Sequence, residues 1–280
     1  MLPYLFYIGS FPIRAYGIIV VSAFLLGLGV AVYIAKAERH EELVEPLLDL
    51  SLLLFIAGVI GARIWQVFFF DWAYYRLNPG EILAIWHGGL SIQGGVVGAV
   101  LVGWWYTRRH KLPFWLLADT VAPALVLAQS IGRDANLMNG DAFGSPNPAG
   151  YGLLYPPDSI AQSVYPGQHL WPAEIWEGQM DVIIFALLLI IKFVWGKKMP
   201  QGWVFLLYVI AYNGARFLLE ILRGDSPRFL FHWDAAQWTS VVVVALALGM
   251  MVWQAMVSRK ARPAADGPDS TGGSDSPAAE

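Results

Sequence analysis

The sequence predicts an all-α polytopic membrane protein, with about seven transmembrane helices around a polar central cavity. Three observations carry that expectation. Of 280 residues, 57% are hydrophobic and only 14% are charged, against about 25% charged in an ordinary soluble domain. The apolar residues fall in long runs, and a bilayer core about 30 Å thick needs about 20 of them per helix. The few lysines and arginines gather at alternate ends of those runs, the pattern of cytoplasmic flanks.

Taken in order, the first run spans roughly 15–36. It lacks a basic leader and an A-x-A-like cleavage site, so it reads as a retained anchor. The second, 47–70, contains Arg63, and the third, 88–107, opens on a glycine-rich segment. The fourth, 113–132, runs into a dense polar stretch, and the fifth, 174–195, begins with Glu174, Glu177 and Asp181. The sixth, 202–222, carries Arg216 and Glu220, and the seventh, 236–257, carries no charge. Ten basic residues mark the ends of spans one, three, five and seven: Lys36, Arg39, Arg108, Arg109, Lys111, Lys197, Lys198, Arg259, Lys260 and Arg262. Only Arg14, Arg76, Arg223 and Arg228 flank the opposite side. The asymmetry places the N-terminus outside and the C-terminus in the cytoplasm. Residues 1–262 then form the transmembrane unit, with an outer loop over about 140–171 placed to act as a lid. Residues 263–280, rich in Ala, Pro, Gly, Ser and Asp, read as a disordered cytoplasmic tail.

Composition also excludes chemistry. There is no cysteine, hence no disulfide, no thiolate metal site and no cysteine nucleophile; any reacting thiol belongs to a substrate. A net charge of −3 argues against a nucleic-acid partner. No cofactor or metal site is expected.

Ionisable residues inside the spans are the informative ones, because a charge at the bilayer centre costs at least about 2.5–3.5 kcal/mol. Each needs a partner, an aqueous cavity or a ligand. Arg216 and Glu220 lie four apart on one helix face and can neutralise each other, while Arg216 keeps donors to spare. Arg63 reads either as a structural arginine or as a site residue. Arg133 begins the most unusual stretch, from Gly132 to Gly144, where a guanidinium, Asn136, Asn139, Asp134 and Asp141 sit beside three glycines. An elaborate helix cap explains the Asn and Gly residues but not an arginine at membrane depth, whose planar fork suits a phosphate. Trp86 to Gly95 forms a second polar island, with His87, Gln93 and four glycines that read as close helix packing or a backbone-lined cavity.

These segments resemble the prolipoprotein diacylglyceryl transferase family. The run Gly132-Arg133…Ala135-Asn136…Asn139-Gly140-Asp141…Gly144 is similar to its G-R-x-A-N-x-x-N-G-D-x-x-G signature. Tyr16-Gly17, Gly61-Ala62-Arg63, Trp86 to Gly95, Pro172 to Glu177 and Tyr212 to Arg223 follow in the family's order, over about residues 8 to 257. The resemblance implies transfer of a diacylglyceryl group from phosphatidylglycerol to the lipobox cysteine thiol in the signal peptide of a preprolipoprotein, at the bacterial inner membrane. It implies that Arg133 and Arg216 hold the phosphate. Tyr16, Asn136, Asn139, Asp141, Gly144 and Glu220 shape the polar pocket, with Arg63 and Tyr212 among the substrate-binding residues. The sequence departs from the family pattern at Gln93, commonly a histidine, and at Trp171-Pro172-Ala173, commonly H-P-S. It departs again at Leu137, usually Phe, and at Asp141, often Glu. Glutamine takes no proton, so base candidates are His87, Glu220 and Asp141. Two alternatives remain in the sequence. Broken, arginine-bearing helices also mark transporters, though no internal repeat is evident, and Gln93 admits an inactive paralogue that binds anionic lipid.

Overall fold

A computed structural model describes residues 4–9, 11–85 and 88–260. His87 and the tail beyond 260 therefore lie outside the described residues. The chain folds as a helical membrane protein. Six helices are long and apolar enough to cross a bilayer: Ala15–Ala37, Glu41–Phe70, Phe114–Asn139, Ala173–Lys198, Trp203–Leu222 and Ala235–Val257. Their α-helical parts are α1 (Ala15–Ala37), α2 (Val44–Trp65), α5 (Phe114–Asn139), α7 (Ala173–Trp195), α8 (Trp203–Leu219) and α9 (Ala235–Lys260).

The run read as the third span is α4 (Ile92–Arg109), preceded in the chain by the single turn α3 (Trp72–Tyr75). It is helical but not one of the six. Gly88 and Gly89 take positive φ (90° and 71°) and cannot join it, so α4 starts later than 88. Its 18 residues extend about 27 Å, and its last turns hold Trp104, Trp105, Arg108 and Arg109. A second difference is an antiparallel hairpin before α1, β1 (Tyr4–Ile8) with β2 (Phe11–Arg14), in a stretch where the sequence reading placed no element.

Small residues set the helix pairs. Gly61 and Gly94 meet so closely that a Cβ on either would collide with the other's carbonyl oxygen, and Gly98 meets Ala57 in the same way. The register 61 to 94 and 57 to 98 makes α2 and α4 antiparallel neighbours. Gly27 of α1 lies against Ala124 and Ala128 of α5. Close approach of this kind substitutes for the hydrophobic drive that lipid removes. Around these seams, Ala31, Ala35, Leu47, Leu50, Leu117 and Ala124 form one buried cluster, and Ala122, Val126, Ile184, Leu188, Val204 and Tyr208 another.

Polar side chains fasten the helix ends. Asp119 of α5 accepts from the backbone N–H of Gly202 (2.6 Å) and Phe205 (2.9 Å), so it caps the N-terminus of α8, where a carboxylate meets the positive end of the helix dipole. Asp234 and Gln237 make a reciprocal capping box at the start of α9, at 2.7 and 3.2 Å. Lys192 of α7 pairs with Glu38, just beyond α1, at 2.8 Å. Between α5 and α7 the loop is not loose. It contains α6 (Ile160–Val164) and its own buried cluster of Phe143, Tyr155, Ala161 and Leu170.

Candidate active site

Three helix ends bring the intramembrane charges together. Helix α5 does not break at the polar stretch; it runs past the expected end near 132 to Asn139 and stops at Gly140, in the left-handed conformation (φ 73°). Arg133 is therefore held on a regular helix. Glu177 and Asp181 lie one turn apart near the start of α7, and Tyr212 and Arg216 one turn apart near the end of α8.

The centre is Glu177, only 4% exposed. Its carboxylate forms ion pairs with Arg133 Nε at 2.9 Å, Arg223 Nη1 at 3.3 Å and Arg216 Nη1 at 3.6 Å. A buried carboxylate alone would lose several kcal/mol of hydration; three guanidinium groups replace that hydration. Arg216 also pairs with Glu220 at 2.9 Å. Glu220 is itself buried, accepts from the Ser226 hydroxyl (3.0 Å) and lies near Asp234. Arg133 Nη2 donates to the Tyr212 hydroxyl at 3.3 Å. Arg223, just past α8, binds Asp225 at 2.5 Å. Burial works against its charge, but Asp225, Glu177 and Glu220 outweigh burial and hold the guanidinium above its ordinary value. Arg133, Glu177, Asp181, Tyr212 and Arg216 line one narrow cleft with a volume of about 10 Å³, about the room of a single water.

Of the residues singled out from sequence, Arg133, Arg216, Glu220 and Tyr212 are thus brought together. A second group adjoins them. Tyr16, at the head of α1, is near enough to Asp141 and Arg133 to feel both charges. Asp141 is gripped by the side-chain amides of Asn136 (2.9 Å) and Asn139 (3.0 Å), so these Asn side chains hold the chain after the helix. Gly144 bridges to Arg223 through backbone pairing, and a Cβ there would collide with the Trp171 carbonyl. The G-D-x-x-G spacing thus places the chain beside the end of α8.

Two predicted residues stand apart. Arg63 donates to the carbonyls of Ile82 (2.9 Å), Gly88 (2.6 Å), Gly89 (2.7 Å), Ala84 (3.3 Å) and Glu81, and lies over the Tyr75 ring. It secures the loop ahead of α4. Gln93 is exposed and accepts from the Ser91 hydroxyl at 2.6 Å. None of their described partners belongs to the Glu177 cluster.

The sequence shows Glu177, Asp181 and Arg223, the first and last inside family-like stretches, but assigns none of them a task. The signal was in the spacing: Glu174, Glu177 and Asp181 fall at i, i+3 and i+7, as do Arg216, Glu220 and Arg223 at i, i+4 and i+7, so each trio shares a helix face. Glu174, fully buried, receives the Tyr155 hydroxyl. Burial and the Glu174 charge push the Tyr155 phenol up.

Comparison with known proteins identifies the family. Residues 3–253 match the family model described as prolipoprotein diacylglyceryl transferase. Proteins named phosphatidylglycerol–prolipoprotein diacylglyceryl transferase are similar along nearly their whole length. That of Listeria monocytogenes serotype 4b is 36% identical over 89% of this chain and 88% of its own. That of a Nostoc species is 35% identical over 90% and 88%, and that of Symbiobacterium thermophilum is 36% identical over 88% and 90%.

Proposed function

The chain belongs to the prolipoprotein diacylglyceryl transferase family, and from that premise we propose that the Arg133–Glu177–Arg216 cleft is its catalytic centre. The protein is a transferase that moves a diacylglyceryl group from phosphatidylglycerol to a prolipoprotein, the first step of lipoprotein maturation. The acceptor is the thiol of the lipobox cysteine. Sulfur attacks the glycerol carbon next to the phosphate, a thioether C–S bond forms, the C–O bond breaks, and its electron pair leaves with glycerol phosphate.

The observation that carries this reading is that two arginines far apart in sequence share one buried carboxylate on the wall of one cleft. The leaving phosphate gains negative charge in the transition state, so preorganised cations supply the stabilisation that is usually the largest single contribution. The partners described above occupy two of the five N–H groups of Arg133. Glu220 holds Arg216 in place, and Tyr212 holds Arg133. Tyr16, Asn136, Asn139, Asp141 and Gly144 shape the rim.

The same reading includes seven crossings, a polar cavity between them and an outward-facing N-terminus in the bacterial inner membrane. Supporting it, Tyr16 at the start of α1 senses Arg133 and Asp141 at the end of α5, so α1 and α5 run in opposite senses. Helix α2 returns from α1 and runs with α5. A descending crossing must separate α2 from α5, and α4, antiparallel to α2, is that crossing.

The test is direct. Purified protein, phosphatidylglycerol and a lipobox-cysteine peptide should yield the diacylglyceryl mass increment on sulfur, and a Cys→Ser peptide should not. No increment on the cysteine peptide would overturn the reading.

A further inference from the structure

We infer that Asp181 accepts the proton of the cysteine thiol, an assignment that rests on the transferase reading above. The thiol must lose its proton to attack, and at an ordinary pKa of about 8.5 only a few per cent is ionised at neutral pH. Somewhere beside the cleft a group has to take that proton. The carboxylates first singled out for the task are occupied: both oxygens of Asp141 accept from Asn136 and Asn139, and Glu220 is engaged by Arg216 and Ser226. Glu177 is bound by three arginines. Gln93 has no basic atom.

Glu220 Oε2 and Glu174 Oε2 are also buried without a hydrogen bond, but the first is ion-paired to Arg216 and the second does not line the cleft. Asp181 does line it, and has no ion pair within 4.0 Å among the described residues. It lines the cleft together with Arg133 and Arg216, is 3% exposed, and its Oδ2 is buried with no hydrogen-bond partner. An orphaned carboxylate oxygen in an interior is uncommon, because it loses water and gains nothing in return. It makes sense where a donor arrives with the substrate. The charged and titratable groups facing it are Arg133 on α5, Glu177 on its own helix, and Tyr208, Tyr212 and Arg216 on α8. The same two arginines face the phosphate.

In the step, the S–H proton passes to Asp181 Oδ2 as the sulfur lone pair attacks the glycerol carbon. The C–O bond to phosphate breaks, and the phosphodiester monoanion departs as a glycerol phosphate dianion. Charge balances: one carboxylate becomes a neutral acid and the phosphate gains one negative charge. Protonated Asp181 then returns its proton to water or to the departing phosphate.

Asp181→Asn keeps the shape and removes the acceptor, and its thermal midpoint in detergent shows that the variant compared is folded. In the peptide transfer assay, turnover of this variant should fall about 100-fold or more near pH 7, within the range for loss of a positioned base. Phosphatidylglycerol affinity, measured by titration of the solubilised protein, should stay within about twofold, since the step and not ground-state binding is lost. The deficit should shrink about tenfold per pH unit as pH rises toward about 8.5, where the thiol ionises unaided. Asp181→Glu should recover part of the activity. Full turnover by Asp181→Asn, a deficit that is flat with pH, or a Glu variant as impaired as Asn while both bind lipid would each overturn the assignment. Absence of transfer by the unaltered protein would instead overturn the transferase reading, so the two failures are distinguishable.

Discussion

At the scale of single residues, the site is organised by arginine geometry. A guanidinium offers two parallel donors where lysine offers a point charge. Arg133→Lys should therefore lose the simultaneous grip on Glu177 and Tyr212, and transfer should drop by about 2 kcal/mol, roughly 30-fold, in the peptide assay. Arg216→Ala removes a cation from the phosphate side, and turnover should fall about 100-fold or more; full activity in either variant would contradict the electrostatic account. Glu177 is the opposite case. Glu177→Gln leaves three guanidinium groups converging on a neutral amide, and removing one partner from a buried charge set destabilises by about 3–5 kcal/mol. Its thermal midpoint in detergent should fall clearly below that of the parent. The sequence exposed Arg133 and Arg216 because charge inside an apolar run is conspicuous. It hid the role of Glu177, because spacing along one helix does not say what faces it from two others. The bonds from Asn136 and Asn139 to Asp141 were hidden for a related reason: their amides look the same in sequence whether or not they also hold a neighbouring carboxylate.

At the scale of elements, most of the fold was legible, since long apolar runs and charged ends fix helices to within a few residues. The departures have local causes. Helix α5 outlasts its apolar stretch because α7 and α8 supply partners for its last polar turns, including the bond from the Ser130 hydroxyl to the Gly178 carbonyl at 2.9 Å. The hairpin β1–β2 was missed because it is short and apolar on both faces. The loop between α5 and α7 carries a buried cluster, and Ser145 N–H bonds Leu222 O at 2.7 Å while Gly224 N–H bonds Phe143 O at 3.1 Å. Gly144 is the residue that lets these strands close. Gly144→Ala forces the Trp171 carbonyl away, which should lower stability by about 1–3 kcal/mol and reduce transfer as Arg223 loses its backbone neighbour; a variant with unchanged thermal midpoint and activity would show that the seam tolerates bulk.

At the scale of the whole molecule, the orientation of the N-terminus decides on which side the chemistry happens. Tyr16 at the head of α1 lies beside the end of α5, so an outward N-terminus puts the Glu177 cluster toward the outer leaflet and an inward one would turn it toward the cytoplasm. The absence of cysteine makes this easy to measure. With Lys111→Cys and, separately, Gln168→Cys in intact cells, a membrane-impermeant maleimide should label only the second, and labelling of the first would reverse the topology. Glu177 has one further consequence. If the cleft is the phosphate site proposed above, this carboxylate is a resident competitor for the cations that an incoming lipid needs. A visiting anion succeeds only by sharing or displacing it, so free phosphate in the surroundings starts at a disadvantage. Once a spent headgroup drifts off, the tethered carboxylate, at a far higher effective concentration, reclaims its three partners and resets the enzyme.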